Sequence, residues 1–346
     1  MQSVEPVLIL LRLLRWSSPF TMPAGQRFCC SILLLLLPTA MKTAPGEDLE
    51  PGTTIVHPGD GALMVYVPCG EFVMGLEQAG ADRIARHLGF ERGDDLWAWE
   101  TYPRRNVYLE GFFIDKYEVT VERWQRFVGA TGHRSSSSET SRHFDQPAAK
   151  LLPAGAMTWA EARQYARWAG KTLPTEAQWE KAARGTDGRA YPWGNSPPDE
   201  SHGHFGQAPQ QGGRLPSLYT LVGSFPKGSS PCGALDMLGN QYEWTSQWQT
   251  PYPGNPHADK MRSYHSSQNV CLRGGSWYHG WIGFYAAKRF GLPPEETHFH
   301  IGFRTVWKPP PDYTGTAAFA RDRAAVSQRR DQLDQFRQAA VGARRP

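Results

Sequence analysis

The stretch Arg273-Gly274-Gly275-Ser276-Trp277, closed further on by Ile301-Gly302-Phe303-Arg304-Thr305-Val306, decides the fold. Its first part reads as the end of a strand running into a glycine pair, where backbone without Cβ can turn tightly or approach another group closely. Tyr278-His279-Gly280-Trp281-Ile282-Gly283-Phe284 follows at once and is too rich in aromatics and glycines for a regular helix. Whatever the chain does is expected to be decided in that loop.

Outward from it the signals are short strands and capped helices. Met64 to Pro68 and Glu71 to Gly75 read as two strands joined through Cys69-Gly70, a hairpin. Val107 to Val119 alternates as a strand, and Thr120 then caps a helix through Trp124 and Phe127 that ends near Gly129 or Gly132. Thr158-Trp159-Ala160-Glu161 and Thr175-Glu176-Ala177-Gln178 are capping boxes, opening helices that stop at Gly170 and Gly185. Residues 133–150, with four consecutive serines, read as a mobile loop. The last 36 residues change character: arginine-rich, poor in aromatics, with one basic amphipathic helix from about Ala317 to Ala340. That tail is expected to be peripheral to the core, with a weak partner-binding role.

At 346 residues the chain allows one large domain or two ordinary ones. Gly 35, Pro 28 and 12% aromatics favour many turns and a Trp-rich core over a helical bundle. A net charge of +4 is too weak to argue for nucleic acid. Near the N-terminus, Met22 opens a pattern with Arg27 as basic flank, Ile32 to Leu37 as apolar centre and small residues at Thr39-Ala40. That is the layout of a secretory signal peptide, with an apolar run too short to span a bilayer. The alternative is an upstream start plus a short membrane anchor. Export to a secreted, periplasmic or secretory-lumen location is the expectation, with no membrane span after cleavage. The expected organisation is a targeting region over 1–41, a linker over 42–61, one domain over 62–308 and the tail over 309–346. Cys29 and Cys30 would leave with the peptide, and Cys69, Cys232 and Cys271 allow at most one internal disulfide with one thiol left over.

Several motifs stand in one order: Phe112-Phe113-Ile114-Asp115-Lys116-Tyr117-Glu118-Val119-Thr120, Leu173-Pro174-Thr175-Glu176-Ala177-Gln178-Trp179-Glu180, Tyr191-Pro192-Trp193-Gly194-Asn195, Asp236-Met237-Leu238-Gly239-Asn240-Gln241-Tyr242-Glu243-Trp244, Arg273-Gly274-Gly275-Ser276-Trp277 and Gly302-Phe303-Arg304. Together they resemble the formylglycine-generating enzyme family, also called the sulfatase-modifying factor family. The resemblance implies an α+β fold: a single domain with little regular secondary structure, the family's variant of the C-type-lectin-like fold, with loops held by structural calcium. It also implies the family's chemistry, oxidation of a sulfatase cysteine to formylglycine with O2 and a copper ion held by two cysteines. Asp236, Gly239, Gln241 and Glu243 would supply two carboxylates and two backbone carbonyls, hard donors suited to calcium. The two copper-binding cysteines are expected three and eight residues after Ser276, where His279 and Phe284 stand, and no cysteine follows Cys271. A soft site of two thiolates does not form from those residues.

Three functions follow in order of preference. The first is a calcium-stabilised binding or regulatory domain, its cleft floored by Trp277, Tyr278, Trp281, Phe284 and Tyr285 and taking a peptide, glycan or protein partner. Ser276 and His279 are the candidate catalytic residues of that cleft, and Arg304 lies in it, pinning loops by bidentate hydrogen bonds. The second is a metal-dependent oxidase in which His279, His298 and His300 hold copper or iron, the last two sharing one face if they lie on a strand. The third is formylglycine generation with some other source of copper ligands.

Overall fold

The strands that flank the central turns are short because glycine, proline and charged residues interrupt every apolar run. In the computed structural model the described residues are 49–342, except 137–148, 206–219, 265–267 and 279–283. The export pattern, residues 137–148 of the expected loop, His279 and Trp281 therefore lie outside the described residues. The chain divides at Lys42 into two units, and all described residues belong to the second.

Two four-stranded sheets carry the domain. The first runs β1 (Thr54–Val56), β2 (Leu63–Val67), β5 (Phe112–Asp115) and β10 (Val306–Trp307), all antiparallel. The second runs β8 (Phe290–Leu292), β7 (Val270–Arg273), β6 (Tyr242–Trp248) and β9 (Ile301–Gly302), with β6 and β9 parallel. A separate ribbon pairs β3 (Gly70–Met74) with β4 (Arg105–Leu109). The helices are α1 (Gln78–His87), α2 (Val121–Thr131), α3 (Trp159–Trp168), α4 (Glu176–Arg184), α5 (Ala258–Tyr264) and α6 (Ala317–Gly342).

The capping signals were legible. Thr120 caps α2 by accepting from the Arg123 amide, and Gly132 ends it in the left-handed conformation. Both capping boxes close in full at α3 and α4. Strand pairing was not. The expected hairpin is absent, because β2 pairs β1 and β5 while β3 pairs β4. All five residues of β2 are buried, the mark of a strand covered on both faces, whereas β3 is partly open. Likewise the single strand expected over 107–119 breaks at Glu110-Gly111 into β4 and β5. A Cβ on Gly111 would sit 2.2 Å from the Tyr66 hydroxyl, so only glycine lets the chain cross there.

Alternation along β2 and β5 explains the layers. Val65, Val67, Phe112 and Ile114 face the inner core with Trp179, while Met64, Tyr66 and Phe113 face outward. Phe319 of α6 and Tyr313 cover that outward face, and Leu333 of the same helix packs with Leu63 and Leu151. The tail expected to be peripheral is thus docked on the domain, held also by Arg329 on Glu122. Its buried residues Phe319, Asp322, Arg329, Leu333 and Ala340 recur at three-, four- and seven-residue steps along one helical seam. The domain also begins earlier than residue 62, since β1 is already part of the sheet.

Candidate functional site

At the end of β7, Gly274 and Gly275 take φ of +95° and +71°, values open to glycine and costly for other residues. This turn closes against the turn before β6: the Gly239 amide donates to the Gly274 carbonyl at 2.9 Å, and the Trp277 amide donates to the Asn240 carbonyl at 3.2 Å. Asp236 and Asn240 both take φ of +56°, so the second turn holds two non-glycine residues in the left-handed region.

Beneath these turns lie fully buried arginines. Arg304 grips Glu243 in bidentate fashion, Nε to Oε2 and Nη2 to Oε1, each at 2.7 Å. It also donates to the carbonyls of Asp115, Leu235 and Asp236, tying the end of β5 and the 235–236 stretch to Glu243 of β6. The Trp179 indole donates to Glu243 Oε2 at 2.7 Å. Arg273 donates to the Ala287 and Lys288 carbonyls and pairs with Glu180.

Glu118, a site residue that sequence reasoning missed although it stands in a quoted motif, is wholly buried here and accepts from Asn240 Nδ2 and the Gln241 amide. Burial, with Asp236 and Glu243 close by, pushes its carboxyl well above the usual range. Asp236 accepts from the Gly223 amide at 2.6 Å, and burial raises it to about 6. Three buried carboxylates therefore share Arg304, with Arg337 of α6 at the outer edge. Asn240 Oδ1 is buried and finds no hydrogen-bond partner among the described residues.

For a calcium ion the chemistry of this turn fits in part. Glu243 is spent on Arg304 and Trp179, so it is not an open ligand as the motif implied. The surplus negative charge lies on Asp236 and Glu118, beside the orphaned Asn240 oxygen and the carbonyls of Gly239 and Gln241, all hard donors. Among the described residues no three His, Cys, Asp or Glu side chains are gathered closely enough to form a metal cluster.

The expected cleft floor is mostly core. Ser276, Trp277, Phe284, Tyr285 and Arg304 are completely buried and offer no face to a ligand. Phe284 packs on Phe205 at 4.6 Å between ring centroids, and Trp277 lies near-parallel to Phe299. Tyr278 alone of the described aromatics in the loop reaches the surface, 42% exposed. Its ring stacks on His300 (4.9 Å, 11° between planes), and His300 stacks on His298 (5.2 Å, 20°). The two histidines precede β9 rather than lying on it, yet their rings share one side. Near-parallel rings send their in-plane nitrogen lone pairs side by side instead of toward one point, and His298 Nε2 lies 3.3 Å from Glu296. His279 lies outside the described residues.

The model of the sulfatase-modifying factor enzyme 1-like domain matches residues 55–309. The chain is 30% identical over 316 residues to a formylglycine-generating enzyme of Streptomyces coelicolor, covering 75% of this chain and 94% of that one. It is 31% identical over 227 residues to a hercynine oxygenase of Mycobacterium tuberculosis, covering 55% of this chain and about half (51%) of that protein. Among solved structures, PvdO from Pseudomonas aeruginosa superposes with a TM-score of 0.56 at 24% identity, over 75% of this chain and 98% of the other. That last likeness speaks to the fold alone.

Proposed function

The chain belongs to the sulfatase-modifying factor enzyme 1-like family, and from that membership we propose that it is a ligand-binding member of the fold, with Tyr278, His300 and His298 as the wall that meets the ligand. The observation that carries this reading is the three-ring stack, whose outer rings Tyr278 and His298 reach solvent while His300 is buried between them, set edge-on against a fully buried Trp277. Solvent-facing Tyr278 and His298 suit a peptide or glycan segment, which they would take by stacking and by a hydrogen bond to the His298 imidazole, with His300 backing both rings. Thiol-dependent oxidation does not fit, because no cysteine follows Cys271 in the sequence. Export, read from the Arg27-to-Ala40 pattern, is part of the same proposal.

A calcium ion at the 236–243 turn completes it. Glu118, Asp236, Asn240 Oδ1 and the carbonyls of Gly239 and Gln241 would hold the ion, Glu243 staying with Arg304. The ion would neutralise the surplus carboxylate charge and stiffen the turn on which Trp277 rests.

A second reading, a histidine-based metal oxidase, draws support from the adjacency of His298 and His300 and from relatives named hercynine oxygenase. One pair of measurements separates the two: metal analysis of the purified protein, and binding to glycan and peptide arrays with Tyr278→Ala as control. Calcium alone, with array binding lost in the variant, is the expected result. Stoichiometric copper or iron that disappears in His298→Ala would establish the second reading instead, and neither calcium nor array binding would overturn the first.

A further inference from the structure

Away from the central turns, a cavity of about 170 Å³ opens between the β2–β3 corner, the C-terminal end of α4 and the loop before the Asp236 turn. Cys69, Lys181, Arg189 and Cys232 line it. We propose that Cys69 and Cys232 form a redox-active thiol pair across this cavity, Cys69 attacking and Cys232 resolving, with a low-molecular-weight disulfide such as oxidised glutathione as the oxidant.

The three described cysteines are placed very differently. Lys181 donates to the carbonyl before Cys69 (Pro68, 2.7 Å) and to the one after it (Gly70, 2.8 Å). The ammonium is thus clasped by the backbone on either side of Cys69, while Asp187, which also lines the cavity, pairs with Arg189. Burial lowers that ammonium to about 8. Cys69 is the half-buried thiol of the three, and access decides which sulfur meets an incoming disulfide first. Cys232 is buried on the far side, its Sγ 3.3 Å from Ser230 Oγ and 3.4 Å from the Ala182 carbonyl, so it stays a protonated thiol until a sulfur is brought to it. Cys271 sits inside β7, fully buried, and does not line this cavity.

The corner that carries Cys69 has open space beside it. Gly70 takes φ of +118°, and nothing lies within 4 Å of where its Cβ would be. A Cys69–Cys232 bond across the cavity would tie residues far apart in sequence, a long closed loop whose constraint falls mostly on the unfolded chain.

The chemistry balances. The Cys69 thiolate attacks one sulfur of the oxidised tripeptide; that S–S bond breaks and one glutathione leaves as a thiolate that takes up a proton. The Cys232 sulfur, giving its proton to solvent, then attacks the Cys69 sulfur of the mixed disulfide and releases the second glutathione. Two protein thiols are oxidised and one disulfide becomes two thiols.

The test uses the full chain, native and untagged at its cysteines. Iodoacetamide should label Cys69 at least about tenfold faster than Cys232 or Cys271. After oxidised glutathione, non-reducing peptide mapping should find Cys69 linked to Cys232 and Cys271 free. Cys232→Ser, shown folded by circular dichroism, should instead accumulate glutathione on Cys69, and Cys69→Ser should give neither product. A link that includes Cys271, stable glutathione on Cys69 of the wild type with no internal bond, or equal labelling of the three thiols would overturn the proposal.

Discussion

Two buried ion clusters lie within the same domain and are built to opposite rules. In the first, Asp60 and Asp115 meet Arg123 and Lys171: Arg123 donates to Asp60 at 2.5 Å and to Asp115 at 2.8 Å, and Lys171 reaches the same pair at 2.8 and 3.0 Å. Tyr165 and Thr305 fill remaining lone pairs. Two charges of each sign cancel, and although burial pushes both carboxyls up, Arg123 and Lys171 outweigh it and hold them below their usual range. In the second, Glu118, Asp236 and Glu243 surround one inner guanidinium, and burial wins: the carboxyls of Glu118 and Asp236 rise. The first cluster is complete as the chain folds. The second is short of positive charge, and a proton or a cation must make up the difference. Completed networks hold a fold together, and incomplete ones are where a ligand has work to do.

The sharpest way to break this contrast is to unbalance the first cluster. Arg123→Met removes the shared cation and leaves Lys171 facing two buried carboxylates. Loss of one partner from a buried pair costs about 3–5 kcal/mol, so the midpoint of urea denaturation should fall steeply. A loss under about 1 kcal/mol would mean the network is solvated and the contrast is empty.

Acid and base should then act on the two clusters in opposite directions. Asp60 and Asp115, depressed when folded, stabilise the protein above the pKa of the unfolded carboxyls, and that stability drains away as pH falls through their lower folded values. Asp236 is raised, so its contribution is full below the unfolded value near 4 and is lost as pH rises toward about 6. A shift of that size corresponds to roughly 2–3 kcal/mol at neutral pH. Chelated protein should therefore lose stability between pH 4 and 6, on top of any other titration, and Asp236→Asn should flatten that segment. Calcium added at pH 7 should restore the loss; a flat profile in chelator would remove the charge argument for the ion.

Local sequence carried much of this and pairing carried little of it. The caps of α2, α3 and α4 were readable because a cap is satisfied by atoms within four residues. Strands β2 and β3 were readable as strands, but their partners were not, since all five β2 residues being buried implies two neighbours without naming them. Arg304 was read as a loop pin because the Gly302-Phe303-Arg304 motif placed it there. Glu118 was missed because its importance lies in a charge sum over residues more than a hundred positions apart. Trp277 and Phe284 were placed in a cleft because an aromatic-rich loop looks the same in sequence whether its rings point in or out. The first cluster was missed for the reason Glu118 was: Asp60, Asp115, Arg123 and Lys171 are polar residues that only the fold brings together.

The smallest expected effect is also the most discriminating. In Glu118→Gln the amide oxygen can still accept the Gln241 amide, while the new NH2 faces Asn240. If the Asn240 amide turns over, that NH2 donates to Asn240 Oδ1, the oxygen that now lacks a partner among the described residues. The turned amide leaves Asn240 Nδ2 unpartnered in place of Oδ1, so no hydrogen bond is gained overall; the exchange instead removes a carboxyl whose ionisation burial and its neighbours oppose, so the metal-free variant should be more stable than wild type by about 1 kcal/mol at pH 7. With calcium present the order should reverse, because the same carboxylate is then a ligand lost. Paired thermal melts of the two proteins, in chelator and in millimolar calcium, read both signs in one experiment. A variant less stable than wild type in chelator would show that Glu118 is already neutralised by its surroundings, and the second cluster would then be as complete as the first.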